Sequence, residues 1–321
     1  MVVRGTTIIM ADSTQPFITV IVSWFNHPEH LLIHRLLWLK AFPKNIVRYV
    51  AYIDVNTTPG IGNIFQPNTT NDLIEKCKEN KIEYVEIPIE LHFARAKIFP
   101  GTEKKVDISS SARNSISCQL AWKQQVIEKP YLTRFIFVQQ DVFPFKKQTW
   151  ESLMMNKQIY YRPQNRATDK GSVDYAWEGL CAFDVASWNT QLKHLVSFEM
   201  GYHNNVYTDT GGGLWVILKI LDENLQKRYS SHDSKSWNKN TPGIKIPDWI
   251  RNFCEADPRN ENKQYYGEIL DDWCFHLRGG SHYDRPQIID VIKRYSLFFS
   301  SIYPRLQDNT TFLEDDLVTR Q

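Results

Sequence analysis

An α/β fold with a mainly parallel central sheet is predicted, on three observations. Residues Phe17 to Ser23 (FITVIVS) form a near-continuous β-branched run, as a strand buried on both faces requires. Short apolar runs then alternate with amphipathic stretches through the first half of the chain, the pattern of a sheet built from βα units. A further apolar run, Phe135 to Val138 (FIFV), is halted by QQDVFP, so an acidic residue stands where a strand ends.

The elements follow in order. After the first strand, WFNHPEH offers Asn26 as a helix cap and Pro28 for a first-turn position. Leu32, Leu36 and Leu39 then recur at helical spacing. A second strand, Ile46 to Ile53, ends at Asp54 and runs into the turn-rich NTTPGIGN. Asp72 to Lys78 reads as a short helix and Tyr84 to Ile87 as a third strand. Residues 89–108 carry no clear period and are expected to form a loop near a site. A helix is expected from about Ser111 to Glu128, with Ala112, Ile116 and Leu120 on one face, before the fourth strand. Four strands alternating with helices give the parallel sheet. Past Pro144 the chain is richer in Trp, Tyr, Asn and Gly at irregular spacing, which predicts a smaller antiparallel or irregular half. Tyr229 to Pro247 reads as a polar loop, Ile288 to Phe299 as a last apolar helix, and the residues from Gln307 as a polar tail.

With 321 residues, 42% of them hydrophobic, the chain is long enough for a proper core, and no linker divides it. Its 38 basic and 36 acidic residues leave +2, so no global field points to nucleic acid or an anionic membrane. The cysteines Cys77, Cys118, Cys181, Cys254 and Cys274 are scattered without a C-x-x-C pair. That pattern argues against a disulfide framework or structural zinc and fits a reducing compartment. No stretch reaches the apolar length of a transmembrane span, and MVVRGTTIIMADSTQ lacks the marks of a signal peptide. A cytoplasmic location is therefore expected, with the acceptor-like tripeptides at Asn56, Asn68 and Asn309 as chance matches.

A carboxylate at the carboxyl edge of a parallel sheet lies where open α/β sheets bind ligands. The segment RFIFVQQDVFP resembles the strand that precedes the D-x-D motif of GT-A glycosyltransferases, whose core is a single Rossmann-like unit, especially those of family 2. The matching triplet is Gln139-Gln140-Asp141: Asp141 keeps the second acid, and Gln139 replaces the first. Three more segments lie in the family's order. FITVIVSWFNHPEHL is similar to the opening strand and turn that touch base and ribose, which implies Ser23, Phe25 and Asn26. The run ending in Asp54 resembles the strand whose acid reads the base. SSSARNSISCQLAW resembles the A-R-N helix facing the donor, which implies Arg113 and Asn114 at a diphosphate. The resemblance implies one domain over residues 1–306, with about 16–145 binding nucleotide-sugar and 146–306 forming the acceptor half and C-terminal helix.

The acceptor half supplies the remaining candidates. DYAWEGLCAFD (174–184) resembles the start of the acceptor site, and Glu178 between Trp177 and Gly179 is a candidate acid or base. YTDTGGGLWVILKI resembles the helix start that carries the base of inverting enzymes, which makes Asp209 the first candidate base. An acid before a helix is equally what N-capping selects. In DDWCFHLRGGSHYD, His276 matches a C-terminal histidine that joins Asp141 as metal ligand, and Arg278 would pair with the leaving phosphates. The implied partners are a UDP- or GDP-sugar, a carbohydrate acceptor and a divalent cation (Mn²⁺ or Mg²⁺), with inversion by direct displacement. Tyr160, Tyr161, Tyr175, Trp177, Tyr202, Tyr207 and Trp215 are either sugar-stacking faces or core.

Two rivals remain. A sugar nucleotidyltransferase would carry a glycine-rich basic loop after the first strand, where this chain has WFNHPEH. A non-catalytic carbohydrate-binding or assembly protein descended from a transferase would account for the loss of the first acid at Gln139.

Overall fold

The computed structural model describes residues 17–25, 28–55, 69–88, 90–91, 110–233, 267–277 and 297. The core is a mixed α/β arrangement around a mainly parallel seven-stranded sheet. Strands β1 (Phe17–Trp24), β2 (Ile46–Val55), β3 (Glu83–Pro88) and β4 (Arg134–Gln139) run parallel. After the short β5 (Val142–Pro144) come β6 (Ile159–Thr168) and β7 (Gly171–Asp184). The order across the sheet is β10-β6-β7-β4-β1-β2-β3, with β10 spanning Gln226–Arg228. Strand β7 alone opposes its neighbours β4 and β6. The irregular texture past Pro144 therefore conceals three strands of the central sheet, and DYAWEGLCAFD is an inner strand. Burial on both faces erases the period-two alternation that would have marked it.

Alternate residues of each strand enter opposite layers. Ile18, Val20, Val22 and Trp24 of β1 pack on one face, while Ile21 joins Val50, Tyr52, Phe135 and Phe137 on the other. The first layer is covered by helices α1 (Pro28–Ala41) and α2 (Thr69–Glu79). The second is covered by α3 (Ser110–Trp122), through Cys118, Ala121 and Trp122. The expected helix faces are both displaced. In α1 the buried residues are Leu31, Ile33, Leu37 and Trp38, while Leu32, Leu36 and Leu39 are half-buried. In α3, Ala112, Ile116 and Leu120 are half-buried beside the buried stripe. Apolar residues surround α1 almost completely, so spacing alone does not choose its face. Helix α3 passes into a π-turn, Lys123–Ile127, where Gln124 and Gln125 are buried and bond to the Tyr52 hydroxyl.

A second, antiparallel sheet has the order β11-β12-β13-β5, from β11 (Ser231–Asp233), β12 (Gly267–Leu270) and β13 (Cys274–Leu277). Part of the segment expected to be loop from Tyr229 is thus strand, and Tyr229 itself is buried. Helices α4 (Trp150–Met154), α5 (Thr190–His194) and α6 (Trp215–Ile220) are short. The hairpin β8 (Gly201–His203) and β9 (Val206–Thr208) forms a two-stranded sheet of its own that packs on β7. Cys77, Cys118, Cys181 and Cys274 are buried free thiols. Among the described residues no helix is long and apolar enough to cross a membrane. The expected loop 89–108 apart from residues 90 and 91, the helix Ile288–Phe299 apart from residue 297, the tail from Gln307, and Cys254 lie outside the described residues.

Candidate active site

Residues 23, 54 and 139 share the strand parity that faces α3, each at or near the carboxyl end of its strand. A cavity of about 140 Å³ opens there, lined by Ser23, Phe25, Asp54 and Gln139 to Asp141 from the sheet edge. Helix α3 contributes Ser111, Arg113, Asn114 and Ser117 to its wall, and Trp177, Glu178, Asp209 and Thr210 close it. The candidates from the four separate segments thus meet in one place. Asn26 and Arg278 lie outside the described residues. Ser111, Ser117 and Thr210 were not singled out from sequence; a hydroxyl on a helix or beside an acid carries no pattern of its own.

Arg113 is almost wholly buried, with 3% exposed. Its Nε lies 3.1 Å from Asp54 Oδ2, and its guanidinium stacks 3.6 Å above the Phe25 ring. Burial lowers its pKa and the Asp54 carboxylate opposes that shift. Its Nη1 is buried without a hydrogen-bond partner among the described residues. A buried donor left unbonded is costly.

The Gln139-Gln140-Asp141 turn is held from both sides. Gln140 Oε1 accepts from the Phe25 backbone N–H at 2.8 Å, tying this turn to the end of β1. Beneath it, the buried His34 lies with Nε2 3.3 Å from the Gln139 carbonyl and Nδ1 2.9 Å from the Tyr49 hydroxyl. Burial keeps that imidazole neutral, with its pKa lowered to about 3. Gln139 Nε2 donates to Glu178 Oε1 at 2.7 Å, and Asn114 Nδ2 donates to the same oxygen at 2.7 Å. Burial first, and the charge of Asp209 second, raise the Glu178 carboxyl to about 8.

Asp209 is about half-exposed and pairs with Arg166 Nη2 at 3.4 Å. It is not a helix N-cap: the cap positions of the following 3₁₀ turn and of α6 are Gly211 and Leu214. Its Oδ1 instead accepts from the next residue's N–H, at Thr210, at 2.8 Å. Gly211 has φ +83°, and a Cβ there would stand 2.4 Å from the Ala176 carbonyl oxygen. Only glycine lets this loop lie directly on β7 beside Glu178.

The β13–β5 ladder pairs His276 with Val142, and Leu277 N–H donates to the Asp141 carbonyl at 2.9 Å. That register puts His276 Nε2 3.7 Å from Asp141 Oδ1, just behind the cavity wall. His276 Nδ1 lies 3.3 Å from Glu268 Oε2, and Glu268 in turn pairs with Arg162. Trp177 is layered between, its ring 4.9 Å from that of His276 and 3.9 Å from the Arg162 guanidinium. Arg162 and Glu268 were invisible to sequence reasoning, as single charges within strands. Among the described residues no group of three His, Cys, Asp or Glu side chains is arranged to hold a metal ion.

Of the seven candidate stacking aromatics, Tyr160, Tyr161, Tyr175 and Trp177 are buried, Trp215 is half-buried, and Tyr202 and Tyr207 are exposed.

No protein-family model matches the chain, and no curated protein matches its sequence. Solved structures overlap with it in part. The galactosyltransferase LgtC, in complex with donor and acceptor sugar analogues, shares 11% identity at TM-score 0.37, over 65% of this chain and 72% of its own. The bifunctional glycosyltransferase WbbM gives 11% and 0.36, over 70% of this chain and 40% of its own. The mannosyltransferase PcManGT from Pyrobaculum calidifontis, in complex with GDP-Man and Mn²⁺, gives 11% and 0.38, over 78% and 65%. At such scores the overlap is distant, and the function rests on the site itself.

Proposed function

We propose that this chain is a nucleotide-sugar-dependent glycosyltransferase of the GT-A type. The observation that carries the reading is Arg113: a buried guanidinium, backed by Asp54 and Phe25, in the wall of a cavity on the carboxyl edge of parallel strands. That is the position for a donor's phosphate or base oxygen, where a pre-placed positive group acts on a leaving diphosphate. Ser23, Phe25, Asn114, Gln139 and Gln140 border the same space and suit the ribose and base.

In the reaction the acceptor hydroxyl oxygen bonds to the anomeric carbon as the bond from that carbon to the phosphate oxygen breaks. The nucleoside diphosphate leaves with the bonding pair, and the hydroxyl proton passes to a carboxylate. Asp209 is the better base, being at the cavity mouth and solvated. Glu178 at neutral pH holds its proton and orders Gln139 and Asn114 around it. Direct displacement with inversion is the course that the family 2 resemblance implies. Asp141 and His276 lie side by side as a carboxylate and an imidazole, and these two residues would hold a divalent cation. Such a cation, when bound, would act as Lewis acid toward the departing diphosphate. Arg278 would add a charge there.

Gln139 favours a second reading, a non-catalytic binder of sugars or nucleotides that has lost the first acid of the motif. A thermal-shift screen with UDP, GDP, CDP and ADP, with and without Mn²⁺, followed by transfer assays with the sugar of the nucleotide that shifts, separates the two. A nucleotide shift with turnover supports the transferase. A shift without donor cleavage supports a nucleotide binder, and no shift by any nucleotide rejects the transferase and makes the non-catalytic carbohydrate binder the leading reading. At a hundredfold excess over Kd, about 2.7 kcal/mol of stabilisation is expected.

A further inference from the structure

We propose that Tyr202 and Tyr207 form a preformed stacking corner for a neutral pyranose, and that it is the acceptor subsite. Its role as acceptor subsite rests on the transferase reading; its capacity to hold a sugar does not.

The two tyrosines face each other across the β8–β9 ladder, with ring centroids 5.3 Å apart and planes at 68°. Tyr202 is 73% exposed and Tyr207 39%. Among the described residues this is the aromatic pair with both members exposed. Exposed rings contribute little to a core.

The hairpin beneath is braced. Val206 joins Val173 and Tyr175 in a small apolar cluster with Trp215 packed against it. Asn204 and Asn205 turn the chain at φ 47° and 63°, and Asn204 Nδ2 donates to the Ser172 carbonyl at 3.1 Å. The corner therefore needs little ordering on binding.

Its place is set by Asp209, which follows β9 directly and lines the donor cavity. Arg166 ties the two together, reaching the Tyr207 carbonyl with Nη1 and Asp209 with Nη2, each at 3.4 Å. A pyranose presents an apolar C–H face and a rim of hydroxyls. Tyrosine offers the matching pair, an apolar ring and a polar tip. A sugar held on this corner lies beside the carboxylate that would take its hydroxyl proton. The buried Tyr160, Tyr161 and Tyr175 have no such access.

The test is binding of the full-length labelled protein to an array of neutral mono- and oligosaccharides, with 1 mM UDP and GDP present. Wild type, Tyr202→Ala/Tyr207→Ala and Tyr202→Phe/Tyr207→Phe are compared, with circular dichroism and sedimentation of each. Expected is wild-type binding that falls at least tenfold in the alanine variant and is mostly kept in the phenylalanine variant. Equal binding by the alanine variant, no wild-type binding, or equal loss in the phenylalanine variant overturns the stacking corner. A wild-type dimer that the alanine change makes monomeric also overturns it, assigning the pair to self-association. Glycan binding without any nucleotide shift would support the corner and reject the transferase. A nucleotide shift without glycan binding would do the reverse.

Discussion

Gln139 Nε2 donates to Glu178 Oε1 at 2.7 Å, so the residue that breaks the expected acidic motif is an amide matched to a buried carboxyl. An acid at position 139 would set a second carboxylate against Glu178. The proton on Glu178 gives a pH prediction. Its carboxyl rises from 4.5 to about 8 on folding, chiefly by burial. Below 4.5 both folded and unfolded chains carry the proton, and the stabilisation is complete. As pH rises toward 8 the unfolded chain has released it while the folded chain keeps it, so this contribution is lost across that window. Urea denaturation of wild type and Glu178→Gln from pH 5 to 8.5 isolates the effect. Wild type should lose stability relative to the variant by a few kcal/mol as pH rises. Parallel profiles would show that Glu178 is ionised throughout.

Asp209 carries the largest expected effect on rate. Asp209→Asn keeps the shape of the side chain and removes its basicity, and general-base loss costs roughly 10²–10⁴ in turnover. Transfer should fall by that factor while the nucleotide-induced thermal shift persists. Full transfer by this variant would rule Asp209 out as the base.

Much of this site was legible before the fold, and the reasons differ by residue. Phe17–Trp24 and Arg134–Gln139 are β-branched or aromatic runs bounded by polar turns, and a strand that ends at a polar residue places that residue at the sheet edge. Ser23, Asp54 and Gln139 therefore met as local pattern implied. Strands β6 and β7 were missed because β7 is buried from Tyr175 to Phe183 and shows no alternation. Arg162 and Glu268 were missed because their pairing spans 106 residues, and nothing local marks either partner. Asp209 could not be told from an N-cap until Gly211 and Leu214 were found at the cap positions.

The Glu268–His276 contact predicts a graded effect on metal binding. Glu268 is buried, at 2% exposed, and orients the imidazole whose Nε2 faces Asp141. Carboxylate partners of ligating histidines typically contribute 10–100-fold in metal affinity. Mn²⁺ titration followed by electron paramagnetic resonance should show a loss of that size for Glu268→Gln and a larger one for His276→Ala. Glutamine keeps an acceptor for Arg162, whereas Glu268→Ala would leave the half-buried Arg162 guanidinium without its carboxylate. Unchanged Mn²⁺ affinity in both Glu268→Gln and His276→Ala would exclude this pair from any metal site.

Gly211 offers a test of the loop rather than of the chemistry. Its φ of +83° is a conformation that side chains resist, and an added Cβ would meet the Ala176 carbonyl oxygen at 2.4 Å. Backbone, not a flexible side chain, is the obstacle, so the loop from Asp209 to Gly213 must lift away from β7. The strain alone costs roughly 1–2 kcal/mol. Lifting the loop also carries Asp209 away from the cavity, and a displacement of about 1 Å can cost on the order of 10²-fold in rate. Gly211→Ala should therefore lower the melting temperature by several degrees and reduce transfer far more than that loss of stability explains. Measured below the variant's own melting range, transfer near the wild-type rate would mean that the Gly211 contact with β7 does not position Asp209.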